Sequence, residues 1–309
     1  FSYTLCNYAG CILHITYVCT AIFLIAVVNT TQIHQNCKFL LSLWGAAYAV
    51  QFASHGAVFA WNAVITVLPA HKYDPQLRSY LVDTSAASQL FCEILEIIIA
   101  SERILSSVKP AEYHVSGRNN RLLIPLVVCL LTASFIQAYL VEVNLLFVAG
   151  PIIFILEICS LTLNRLAVKY CERRHVQLQR SSLNARYQVK EACELAVSMQ
   201  RVYLITFAFK NLVNGIAIIF CYDSDDQHNC VPLVFPLPYY ILEEIYGIGA
   251  TTTSEFLLVS LLYNHPRLRK NSRALLGKIK GSTSVEVAFS PPQFESVKDA
   301  YFGALQNAW

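Results

Sequence analysis

The chain has 309 residues, 55% hydrophobic and only 14% charged, with a positive mean hydropathy. A soluble domain averages about 25% charged residues, so this composition excludes an ordinary soluble globular protein and points to a membrane protein. The formal charge of +3 says little as a total; where the charges lie carries the information, and no nucleic-acid partner is expected.

The sequence opens on Phe1 rather than Met, which suggests a truncated or processed N-terminus. No cleavable signal pattern is visible, because the first apolar run is full length and no small-residue cleavage site follows it. A helix needs about 20 apolar residues to cross a bilayer. Seven stretches qualify: Tyr8 to Val28, Phe39 to Leu68, Tyr80 to Ser107, Leu122 to Glu142, Leu145 to Leu166, Gln200 to Tyr222 and Leu233 to Tyr263. The expectation is an all-α membrane protein built as a seven-transmembrane helix bundle. The fourth and fifth stretches are separated by almost nothing and should form a tight hairpin. No internal repeat is found.

The third stretch organises the rest. Gln89, Glu93, Glu96, Ala100 and Arg103 are spaced +4, +3, +4, +3 and form one helical stripe, while Leu90, Ile94, Ile97, Ile98 and Leu105 fall largely on the other side. A carboxylate facing lipid is costly, so the stripe must face other helices or a wet cavity. Glu102 and Arg103 then sit at one membrane edge. The fifth stretch carries Glu157, Ser160 and Asn164, the sixth Thr206, Lys210 and Asn214, and the seventh Glu244, Gly247, Thr251 and Glu255. Lys210, near mid-span, needs a carboxylate partner. Glu96, Glu157, Glu243, Glu244 and Glu255 are the candidates, and spacing does not choose among them. Tyr139, Glu93, Tyr239 and Tyr240 are candidate ligand-pocket residues by depth and aromatic chemistry.

All of the 23 Lys and Arg fall on one side of these spans except Lys72, Arg78 and the intramembrane Lys210. The positive-inside rule therefore places the N-terminus outside and the C-terminal tail in the cytoplasm. The connection holding Asp223, Asp225 and Asp226 is then external. The sequon at Asn29 falls at the cytoplasmic end of the first span and should be unused. After Asn264-His265-Pro266, the residues Leu268, Leu275, Leu276 and Ile279 share one face among cations, as in an amphipathic helix on an anionic leaflet. The domain reading is 1–264 receptor bundle, 265–281 basic membrane-surface helix and 282–309 flexible tail.

Of the eleven cysteines, Cys19, Cys92, Cys129, Cys159 and Cys193 lie in or beside apolar runs and act as small hydrophobes. Cys221 and Cys230 flank the acidic connection; a disulfide and two free thiols are equally open there. No Cys/His spacing suits zinc, so neither a metal nor a cofactor is expected. The seventh span contains no Lys, which sets aside a retinal Schiff base.

Seven spans, Glu102-Arg103 at the inner end of the third, and the stretch from Leu183 through Arg186-Tyr187-Gln188 to Lys190-Glu191 resemble the nematode serpentine chemoreceptors of the Sra superfamily, most closely serpentine receptor class epsilon (Sre). That class shows Leu-x-x-Arg-Tyr-Gln-x-x-Glu-Asn entering helix six; here Ala192 stands in the place of Asn. The resemblance covers essentially the whole chain. It implies a G-protein-coupled receptor for environmental small molecules, multi-pass in the plasma membrane of sensory-neuron cilia, with no catalytic site. Membrane lipids, a small-molecule ligand and a heterotrimeric G protein are the implied partners. Arg103 would be the state-switching group and Glu102 its resting partner, while Arg186, Tyr187, Gln188 and Lys190 would carry helix six into the cytoplasm as contact or hinge. The features of rhodopsin-like receptors are missing: no Cys opens the third span, no Pro interrupts the sixth, and the second has no acidic residue. The alternative is a seven-helix transporter or ion channel using the intramembrane Glu and Lys residues, which the odd span count and missing repeat disfavour. An intramembrane enzyme lacks its chemistry.

Overall fold

The computed structural model describes residues 2–67, 75–108, 110, 123–142, 146–178, 183–220, 222–223, 230–231 and 239–279. Side chains are described for 7–65, 76–108, 110, 124–136, 152, 154–178, 183, 185–212 and 247–278. The elements are α1 (Ser2–Thr30), α2 (Gln35–Val67), α3 (Pro75–Val108), α4 (Leu123–Glu142), α5 (Leu146–Gln177), α6 (Leu183–Phe220), α7 (Tyr239–Asn264) and α8 (Pro266–Ile279). A two-residue antiparallel ladder, β1 (Tyr222–Asp223) with β2 (Cys230–Val231), pairs Tyr222 with Val231 and Asp223 with Cys230. The sixth expected span therefore stops at Phe220, and Tyr222 belongs to a strand. Helix α7 starts at Tyr239, six residues after the expected Leu233. The Cys221–Cys230 pairing lies outside the described residues.

The chain divides into two compact units, 1–271 and 272–309, with the division inside α8. In the first unit α1, α2, α3, α5, α6 and α7 pack in succession, and α7 returns to α1 to close the ring. Helix α3 also meets α6. The expected α4–α5 hairpin is not a close one: α4 lies chiefly against α3.

Local chemistry sets the joints. Lys38 N donates to His34 O and Asn36 N to His34 Nδ1, which starts α2 one short connection after α1. Pro266 suits the first position of a helix but disfavours helical geometry in the residue before it. The α7 helix accordingly breaks at His265, whose Nδ1 accepts from Leu268 N at 3.3 Å and caps α8.

Trp44, Tyr48, Phe52, His55 and Phe59 recur at +4, +4, +3, +4 and form the inward face of α2. Trp44 meets Tyr48 edge-on at 5.0 Å, and Tyr48 stacks on Phe52 at 5.8 Å. From α1, Tyr17 reaches Phe52 and His14 reaches Phe59. Small residues let these helices approach: a Cβ on Gly56 would stand 3.0 Å from His14 Cβ, and one on Gly10 only 2.6 Å from the Phe59 ring.

The bundle exposes many large apolar side chains and buries several charged ones beside an apolar core. Ile12, Ile124, Phe135 and Leu204 are more than half exposed, whereas Glu93, Glu96, Glu102, Arg103, Glu157 and Lys210 are buried. Among the described residues, two helical stretches are long and apolar enough to cross a membrane, Asn7–Thr30 and Ala185–Leu212. The second begins fifteen residues before the expected sixth span.

Candidate functional site

The polar stripe of α3 faces inward. Glu93, Glu96, Ala100 and Arg103 are all buried. Leu90, expected on the opposite side, is buried as well, because α3 is surrounded by α2, α4, α5 and α6 and has little free surface. Leu105 is exposed as its position implies.

Lys210 on α6 donates to Glu93 Oε1 and lies 3.5 Å from Glu157 Oε1 on α5. Glu93 was not among its expected partners. Of the candidates Glu157 is met, while the side chains of Glu243 and Glu244 lie outside those described. Glu255 on α7 instead has a buried, unpartnered Oε2 of its own. Glu96 Oε1 accepts from Tyr48 OH at 3.3 Å. Asn211 Nδ2 donates to Phe207 O at 2.7 Å and reaches Glu157 Oε2 at 3.5 Å. One turn away on α5, Asn164 Nδ2 donates to Ala196 O and Gln200 Oε1 on α6. Among the described residues the cluster thus holds one ammonium among three carboxyl groups, and Glu93 Oε2, Ser160 Oγ and the Tyr203 hydroxyl are buried without a hydrogen-bond partner. A buried group costs free energy until it is paired.

Glu102 and Arg103 are paired at the end of α3, at 1% and 2% exposure. Neither is a snorkelling side chain at a wet helix end; both lie in protein. Ser106 and Ser107 hydroxyls donate to Arg103 O, and Ser107 also meets Cys171 of α5 at 3.0 Å.

Two turns of α6 complete this end of the bundle. Arg267, counted in the sequence only as one of the cytoplasmic-side cations, folds back onto the bundle. It contacts Glu194 Oε2 at 3.1 Å, Glu191 Oε2 at 3.3 Å, the Tyr187 hydroxyl at 2.6 Å and Gln32 O at 3.1 Å. Its guanidinium also lies over the Tyr187 ring. Glu191 Oε1 accepts from His34 N at 2.7 Å. This clasp ties the start of α8 to α6 and to the α1–α2 connection. Gln188 was expected as a cytoplasmic contact but is buried, because it faces into the ring when Tyr187 faces out. Lys190 is exposed and Arg186 half-buried. The sequence reading missed Arg267 and Glu194, which sit 73 positions apart and share no local pattern. Tyr48 could have been found from the +4 recurrence in α2.

His265 is buried beside this clasp; burial, then the charges of Arg267 and Arg103, push its imidazole down to about 4. Tyr139, Tyr239, Tyr240, Glu243 and Glu244 lie on α4 and α7, but their side chains are outside those described. Among the described residues, no group of three or more His, Cys, Asp and Glu could hold a metal ion. No protein family is matched by the chain, and no curated protein matches it.

Proposed function

We propose that this chain is a seven-span chemosensory receptor of the Sra superfamily, most like class epsilon, coupling an external small molecule to a cytoplasmic heterotrimeric G protein. What supports a membrane reading is the many exposed large apolar side chains together with carboxylates and cations buried beside the apolar core. This reading takes α1–α7 as the seven spans, and the one-sided distribution of Lys and Arg supports an N-terminus outside and a plasma-membrane setting.

The observation that carries the receptor reading is the fully buried Glu102–Arg103 pair at the inner end of α3. The Arg267 clasp ties α6 to the start of α8 and to the α1–α2 connection. A ligand that binds an outward-splayed arrangement better than this one shifts the population toward it. Moving α6 away would part Arg267 from Glu191 and Glu194, and would open the ring beside Arg103 to a partner.

The test is guanine-nucleotide exchange on a panel of co-reconstituted heterotrimeric G proteins, comparing wild type with Arg103→Ala and Glu102→Ala. Exchange that needs Arg103 and rises basally in Glu102→Ala is expected. An unchanged basal rate in a well-expressed Glu102→Ala variant would count against the latch. The buried Lys210 cluster favours a second reading, a transporter or channel. Membrane current without nucleotide exchange, recorded on the same proteoliposomes, would select it.

A further inference from the structure

A groove of about 420 Å³ runs along the seam of α3 and α5, lined by Ile104, Leu166, Lys169, Tyr170 and Arg173. We propose that it is a binding site for one anionic phospholipid of the inner leaflet. The proposal rests on the membrane-spanning orientation argued above. Leu166, Lys169, Tyr170 and Arg173 are spaced +3, +1, +3 and so share one face of α5. Leu166 and Tyr170 are exposed apolar bodies, and Ile104 supplies the facing wall from α3.

The charge of the groove is one-sided. Lys169 and Arg173 are both exposed, and neither is paired with a carboxylate among the described residues. They lie just beyond Leu166, the inner end of the fifth span, at the depth of the lipid phosphates. A phosphodiester between an ammonium and a guanidinium one turn apart receives charge-assisted hydrogen bonds from both. An acyl chain then lies against Leu166 and Ile104, a surface that a free phosphate or a nucleotide would leave uncovered. Basic pockets between spans on the cytoplasmic side bind lipid head groups by this combination. Ile104 follows Arg103 directly in the chain, so the lipid would rest against the helix turn that carries the proposed switch.

The experiment is native mass spectrometry of the full chain, extracted in detergent and titrated with phosphatidylserine or with phosphatidylcholine. Wild type is expected to keep one phosphatidylserine and to bind phosphatidylcholine at least about tenfold more weakly. Lys169→Gln with Arg173→Gln removes the charge, and Leu166→Trp fills the groove while leaving the charge in place; each should lose the bound lipid. Arg273→Gln with Lys278→Gln removes the same charge elsewhere and should keep it. Retention by Leu166→Trp, or an equal loss in the Arg273/Lys278 variant, would reduce the effect to general attraction and overturn the site. Equal binding of the two lipids would overturn it as well. Each variant is first matched to wild type in its thermal midpoint, with Leu166→Phe replacing any Leu166→Trp that fails. Alkaline extraction separates the two levels of argument. A chain released to the aqueous fraction sinks the spanning orientation; a chain that stays with the membrane but keeps no phosphatidylserine sinks this site alone.

Discussion

Lys210 has more carboxyl groups around it than it can neutralise, and this asymmetry predicts how substitutions behave. Lys210→Met leaves Glu93 and Glu157 buried without a cation, the situation that costs about 3–5 kcal/mol when one partner of a buried pair is removed. Glu157→Gln leaves the contact to Glu93 in place and keeps a polar group beside Asn211, so it should cost far less. Thermal unfolding in detergent would compare them; equal losses would mean that Lys210 depends on both carboxylates. His265 makes a separate prediction. Its imidazole is held near 4, below the ordinary value of 6.5, mainly by burial. The unfolded chain therefore takes up a proton that the folded chain refuses. The stability from the neutral ring is full above pH ~6.5 and is lost as pH falls from there toward ~4. His265→Asn can still accept from Leu268 N and does not titrate, so its melting temperature should fall less over that window than that of wild type. Parallel pH profiles for the two proteins would remove His265 as the cause.

At the scale of elements, small residues set how closely α1 and α2 can lie. Gly10 leaves no room for a side chain against Phe59, so Gly10→Leu should destabilise the pair by about 1–3 kcal/mol through overpacking. Gly277 in α8 has nothing within 4 Å of where a Cβ would stand. There Ala only lowers the conformational cost of the helix, and Gly277→Ala should strengthen α8 by about 0.5–1 kcal/mol. Circular dichroism melts of both variants would check the contrast. An unaffected Gly10→Leu protein would show that α1 and α2 can separate without cost. The amphipathic pattern after Asn264-His265-Pro266 located α8 as an element. Arg267 looked in sequence like its neighbours Arg269 and Lys270, yet it points into a clasp. Spacing tells which residues share a face; it does not tell what that face meets.

Across the whole molecule, the Arg267 clasp and the Glu102–Arg103 pair close the same end of the bundle from two directions. If both restrain α6, Arg267→Ala should raise basal nucleotide exchange by itself, as Glu102→Ala does. Its effect should be seen at normal surface expression. A wild-type basal rate would make the clasp a purely structural tie between α8, α6 and the α1–α2 connection. Tyr187→Phe keeps the ring beneath Arg267 and removes the 2.6 Å hydroxyl contact, so a smaller rise in the same direction is expected.

The sequence by itself determined what can be read from one helix at a time. Composition and apolar run length marked the helices, and the +4, +3, +4, +3 stripe marked the buried face of α3. These follow from geometry that repeats within a segment. Helix packing was needed to see that Lys210 meets Glu93 as well as the expected Glu157, that Gln188 is buried, and that Arg267 turns back onto α6. The physical reason is that each of these contacts depends on how two helices are rotated and offset against one another. That relation is fixed by the packing of all their side chains together, and no single segment carries it.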